Sequence, residues 1–142
     1  ELEFRKTDSE ADVLVMFSIG VNDSCPNNWL TNIQTSKDDF KAALRDMIKM
    51  AKDKSCRVLV LGLAPVNMDK PTKRGLQLSN KEVKKYDGYI SDVCRELNVD
   101  KIDIFDDLMK TGYVNHLVDV VHPNSEGHEM IFEKVREWIE KV

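Results

Sequence analysis

An α/β layered domain built around a parallel sheet is the fold this sequence predicts, on three observations. Two short, unbroken apolar runs, Val13-Leu14-Val15-Met16-Phe17 and Val58-Leu59-Val60-Leu61, have the pattern of strands buried on both faces of a parallel sheet. Each is followed by a long stretch whose apolar residues recur at helical spacing. Strand and helix therefore alternate along the chain, the order that gives right-handed crossovers and helices packed against a sheet.

The first run stops at Gly20. Ser36, with Asp39 three residues on, reads as a helix start, and Phe40, Leu44, Met47, Ile48 and Ala51 fall on one face of a helix that should end near Lys54. After the second run, Gly62, Pro65, Pro71 and Gly75 mark a long loop. Ser79 and Glu82 form an S-x-x-E capping box, and Val83, Tyr86, Ile90, Val93 and Leu97 make the apolar stripe of the next helix. Ile102, Ile104 and Phe105 make a short third strand. The connection from Asp106 to Leu117 is irregular or partly helical, and Ser125 can cap a last helix with Ile131, Val135, Ile139 and Val142 on its buried side.

The bulk numbers bound the rest. A chain of 142 residues fits one domain with a single core, and no internal repeat, low-complexity segment or second domain is visible in residues 1–142. Hydrophobic content of 42% and charged content of 32% are ordinary, and no apolar run approaches the roughly 20 residues of a membrane span. A net charge of -4, without a clustered excess of Lys and Arg, gives no attraction to nucleic acid, and the stretch from Lys81 to Lys85 reads as a solvated helix face. Cys25, Cys56 and Cys94 are odd in number and widely spaced, which argues against a disulfide framework and points weakly to a reducing, cytoplasmic compartment.

The chemistry concentrates where the strands should end. In open α/β sheets, ligands sit in the crevice beyond the carboxyl ends of the strands. Gly20-Val21-Asn22-Asp23 lies at one such end, Ala64-Pro65-Val66-Asn67 at the next, and Asp119 to His122 just ahead of the last helix. A carboxylate bonded to one imidazole nitrogen fixes the tautomer and leaves the other nitrogen free as a general base, the arrangement that Asp119 and His122 can form if the backbone bends between them. Pro123 favours that bend, because it pushes His122 out of the α region. Asn22, just past the end of a buried strand, can donate to a developing oxyanion, an interaction that can be worth roughly 3 to 4 kcal/mol, and Gly20 lets the backbone come close. Asp-x-x-His alone is equally a loop carboxylate beside a surface histidine, and Gly-x-Asn-Asp alone is an ordinary turn.

Taken together, F-S-I-G-V-N-D from Phe17, G-L-A-P-V-N from Gly62 and D-V-V-H-P-N-S-E-G-H from Asp119 resemble the SGNH/GDSL hydrolase superfamily of lipases and esterases, across nearly the whole chain. The resemblance implies a three-layer α/β/α sandwich of flavodoxin-like type with a parallel sheet of five strands. It implies that Asp119 and His122 are the catalytic Asp and His, and that Asn22 serves the oxyanion hole. Gly20 and Asn67 are the further substrate-binding candidates. The implied activity is hydrolysis of small-molecule esters through a Ser-His-Asp acyl transfer, with no metal or organic cofactor.

Two departures stand out. Val120 occupies a position where such relatives often have Gly. The Gly-Asp-Ser block that bears the family's nucleophile on its first strand is absent from this sequence, as is the block with a second oxyanion-hole Gly. Ser9, Ser18 and Ser24 lack the strand-turn-helix setting that exposes a nucleophilic serine. Only the last three strands are expected here, with the first strands missing from these residues or provided by a second chain. Three readings compete: an ester hydrolase whose serine lies outside these residues, a non-catalytic α/β binding or interaction module that has lost the nucleophile, and a metal site. For the metal, His116, His122 and His128 recur with Asp107 and Asp119 nearby, but the spacing matches no zinc pattern, and His128 reads as a packing or capping residue. No Gly-rich phosphate loop follows a strand. Trp29, Met68 and Tyr113 either line an acyl or alcohol pocket or cover the core.

Overall fold

The computed structural model describes residues 13–26, 33–70 and 77–141. Three parallel strands, β1 (Leu14–Phe17), β2 (Arg57–Leu61) and β3 (Asp100–Ile102), lie in the order β1-β2-β3. Between and after them come α1 (Lys37–Asp53), α2 (Asn80–Leu97), α3 (Phe105–Lys110), a 3-10 turn at Tyr113–His116, and α4 (Ser125–Ile139). The alternation of β2 sorts the molecule into layers. Val60 packs with Phe40, Leu44 and Ile48 of α1 and with Val83, Tyr86 and Ile90 of α2, while Leu59 and Leu61 face Ile102, Leu108 and the Ile131, Val135 and Trp138 side chains of α4. Helices thus cover both faces of the sheet, as the sequence predicts.

Both long helices begin where their caps place them. Ser36 Oγ accepts the Asp39 N–H at 3.1 Å, and Ser79 Oγ accepts the Glu82 N–H at 3.3 Å. The second capping box closes on one side only, because the Glu82 carboxylate takes Gln34 Nε2 at 3.0 Å and Lys85 Nζ at 3.1 Å.

Four expectations need correction. β1 is not buried on both faces: Leu14 is 40% and Met16 45% exposed. These two side chains lie on the α4 face of the sheet, where α4 reaches β2 and β3, and no described strand pairs with the outer edge of β1. The third strand is earlier than expected, ending at Ile102. With β2 finished at Leu61 there is no partner left, so Ile104 instead accepts the Leu108 N–H and starts α3, and Phe105 turns to the α1/α2 core. The last helix is capped by Asn124, whose Oδ1 accepts the Gly127 N–H at 2.9 Å, because Asn124 is still extended while Ser125 is already helical. Finally, Ile139 is 53% exposed, because the packed side of α4 runs through Ile131, Val135 and Trp138 instead; Val142 lies outside the described residues.

The half-closed box makes a clean prediction. Ser79→Ala should lower the stability of the chain by about 1 kcal/mol in urea unfolding, the usual worth of an N-cap. An unchanged midpoint would count against the cap.

Candidate active site

The residues from Leu117 to Pro123 form a tight reverse loop. Leu117 and Pro123 make an antiparallel bridge, and the Val118 N–H donates to the His122 carbonyl at 2.7 Å. Inside it, Asp119 Oδ1 accepts the N–H groups of Val121 at 2.9 Å and His122 at 2.8 Å. Both carboxylate oxygens also lie against the imidazole, with His122 Nδ1 at 3.0 Å from Oδ1 and 2.8 Å from Oδ2. A short carboxylate can bond to backbone two and three residues on only by curling the chain around itself. That curl is what turns a spacing of three into a contact.

The electrostatics follow from the same shell. Burial would raise the Asp119 carboxyl, but the His122 and Val121 backbone N–H groups and then the imidazole outweigh it and hold it at about 2. Asp119 is therefore a carboxylate at neutral pH, accepting at Nδ1. The bond fixes the tautomer with hydrogen on Nδ1 and leaves Nε2 as an acceptor. The His122 side chain is 73% exposed, and none of the described serines is hydrogen-bonded to it.

Gly20 and Asn22 come from the other side. A cleft of about 560 Å3 opens beyond the strand ends and is lined by Gly20, Asn22, Leu61, Leu63, Val121, Pro123 and His128, among others. Asp119 and His122 are not in its lining; their neighbours Val121 and Pro123 are. Gly20 has φ +125°, and a Cβ there would meet the Phe40 ring at 3.1 Å, so conformation and packing both require glycine. Asn22 is the exposed residue of a turn closed by Ser24 N–H donating to the Gly20 carbonyl at 3.0 Å. Ser24 is fully buried, and its hydroxyl donates to the Val21 carbonyl, while Ser18 lines the cleft. Ser9 and Trp29 lie outside the described residues.

Asn67 does not offer its amide to the cleft. Its Nδ2 donates to the Val114 carbonyl at 2.9 Å, and its Oδ1 accepts the Asp69 N–H at 3.1 Å. Tyr113 is buried to 1% exposure and forms part of the cleft wall, whereas Met68 is 60% exposed. His128 is neither packing nor capping: it is exposed and borders the cleft one turn before Ile131. The three-residue step from His128 to Ile131 was a sequence signal for that shared face. His116 Nδ1 pairs with Glu126 Oε2 at 2.8 Å, and among the described residues no group of three or more His, Cys, Asp or Glu side chains is placed to hold a metal.

The depressed carboxyl is open to measurement. Because its folded value lies below the roughly 3.9 of an unfolded chain, its contribution to stability is fully present above about pH 4 and is lost as the pH falls toward 2. An NMR titration of the Asp119 carboxyl carbon should give a midpoint near 2, and a midpoint at 4 or above would contradict the bonding around it.

Comparison with known proteins bears on the fold and the family. In structure, the chain is similar to the acetylxylan esterase Axe2 of Geobacillus stearothermophilus, with a TM-score of 0.67 and 19% identity over 88% of this chain and 58% of that one. It is similar also to the lipase/acylhydrolase of Enterococcus faecalis, with a TM-score of 0.68 and 17% identity over 92% of this chain and 61% of the other. At such identities the likeness is one of fold, and this chain spans less than two-thirds of the length of either protein. No curated protein matches the sequence. The model of the GDSL-like lipase/acylhydrolase family matches residues 2–130, and the chain belongs to that family.

Proposed function

We propose that this chain contributes the base, its orienting carboxylate and an oxyanion donor to an ester hydrolase that works by acyl transfer. The observation that carries this reading is the doubly bonded contact between Asp119 and His122 Nδ1, on an exposed imidazole whose loop neighbours Val121 and Pro123 line the same cleft as Gly20 and Asn22.

In the proposed reaction, a serine hydroxyl adds to the ester carbonyl as His122 Nε2 takes its proton. Asp119 stabilises the imidazolium and keeps Nε2 aimed at the nucleophile. The Asn22 amide donates to the oxyanion as the tetrahedral species forms. When the carbonyl re-forms, the bond to the alcohol breaks and His122 returns the proton to the leaving oxygen. Water then repeats the sequence on the acyl-serine, releasing the carboxylic acid and the free serine. None of these steps uses a metal or an organic cofactor.

The serine of this scheme lies outside the 142 residues, in a segment or second chain that also pairs with the outer edge of β1. Two observations favour that arrangement. The sequence holds no Gly-Asp-Ser block, and the outer edge of β1 has no described partner although its Leu14 and Met16 side chains are apolar and exposed. That the nucleophile is a serine is supported by the Axe2 esterase, whose catalytic mutant replaces a serine with alanine. Because Axe2 is an acetylxylan esterase, an acetyl ester is the natural first substrate.

Two measurements test the proposal on the polypeptide that carries the serine. It should be labelled by a serine-directed fluorophosphonate and should hydrolyse p-nitrophenyl acetate. His122→Ala should abolish both, and Asn22→Ala should lower kcat by about 100- to 1,000-fold. Absence of labelling and of hydrolysis would instead favour the binding module without a nucleophile.

A further inference from the structure

The loop that holds Asp119 and His122 is itself held by a neighbouring loop, and that neighbour is clamped from α2. Asp87 on α2 accepts the Leu63 N–H at 2.9 Å just past the end of β2. One helical stretch earlier, Asn80 meets Val66 as a strand would, its Oδ1 accepting the Val66 N–H at 2.8 Å and its Nδ2 donating to the Val66 carbonyl at 2.9 Å. The Asp87 carboxylate is in turn fixed by Lys101, whose side chain is only 6% exposed, at 2.8 Å. Residues 63–66 are therefore pinned at both ends before the chain reaches Asn67.

Asn67 then makes two bonds across the gap. Its backbone N–H donates to the Val120 carbonyl at 2.9 Å, between Asp119 and His122 in sequence, and its side-chain amide donates to the Val114 carbonyl at 2.9 Å, in the turn that leads into the same loop. Its Oδ1 closes a local turn on the Asp69 N–H at 3.1 Å. Lys70, three residues on, reaches the Leu117 carbonyl. The contacts from this short stretch fall on both sides of Asp119. An alanine at 67 would keep the first bond and lose the second, and would leave the Val114 carbonyl without its donor.

We infer that Asn67 is a positioning residue: by tying the Val114 turn and the Val120 carbonyl to the clamped 63–66 segment, it sets where the Asp119–His122 pair stands relative to the cleft. This inference rests on the catalytic role proposed above for His122. The bonds it invokes exist whether or not that role is correct, so the two can fail separately.

The test has a spectroscopic and a kinetic arm. Asn67→Ala removes both side-chain bonds. Asn67→Asp keeps the acceptor for Asp69 and removes only the donor to Val114. In the 142-residue chain, the His122 Nδ1–H proton resonance should shift or broaden in both variants while the urea midpoint of Asn67→Asp stays close to that of the parent. In the polypeptide that carries the serine, both should lower kcat for p-nitrophenyl acetate by about 10- to 100-fold, the usual effect of losing an outer partner of a reactive group, with KM within about twofold. An unchanged Nδ1–H resonance in both variants, or a full kcat in both while His122→Ala is inactive, would overturn the positioning role. Activity retained by His122→Ala would overturn the catalytic reading instead, and the resonance would still decide the role of Asn67.

Discussion

The Asp119 carboxylate is the constraint on which the site depends, because one group performs two tasks with the same four lone-pair directions. The backbone N–H groups of Val121 and His122 that it binds are the ones that curl the loop, and the curl is what brings the imidazole within reach. Charge and conformation are thus coupled. Protonating or removing the carboxylate would loosen the ring contact and release the backbone that aims the ring. This explains why a site residue with a largely exposed partner has a carboxyl held as low as about 2: backbone donors, which cannot swing away to water, supply most of the stabilisation.

The sheet contributes by bringing loop ends together. β1 and β2 are in register, so the Gly20 turn and the Gly62–Asn67 segment leave the sheet side by side. Gly62 itself is tightly enclosed, since a Cβ there would come within 2.9 Å of the Asp87 carboxylate and of the Ile102 carbonyl. The approach of α2 to the end of β2 is what gives Asp87 and Asn80 their reach onto the neighbouring backbone. The positioning proposed for His122 therefore traces back through Val120, Asn67 and Val66 to α2, which among the described residues makes no hydrogen bond to Asp119 or His122, a division common where a functional group stands on a loop and needs a rigid support.

Much of this was legible in the sequence, and the failures have physical causes. Unbroken apolar runs and capped amphipathic stretches located β2, α1 and α2, since Val60, Leu44 and Ile90 are buried by neighbours that the same periodicity supplies. Asp119 and His122 were legible as a pair because their bond is local. The Asn67 bonds were not legible, because Val114 and Val120 are distant in sequence and carbonyl acceptors leave no residue-type signal. The third strand was misplaced for a similar reason: Ile104 and Phe105 are as apolar as strand residues, but whether they pair depends on where β2 stops. Ile139 followed its helix's period correctly and is exposed because the period says which way a side chain points, and says nothing of whether a surface waits there.

β1 carries the same lesson in reverse, and it bears on how the cleft is built. An edge strand that is meant to face water usually carries Lys, Pro or a bulge to discourage further pairing. Leu14-Val15-Met16-Phe17 has none of these, and its composition is that of a covered strand. Met16, half-exposed on the α4 face, is also part of the cleft wall, as is Ile131 of α4. In the proposed hydrolase, whatever covers β1 thus shapes the same cleft that Gly20, Asn22 and the His122 loop border. In that reading the nucleophile comes with the cover over β1, the oxyanion donor from the turn after β1 and the base from the Asp119 loop. The groups that must act together would then come from three separate connections at one end of a single sheet, with the His122 loop tied to the end of β2 through the segment that carries Asn67.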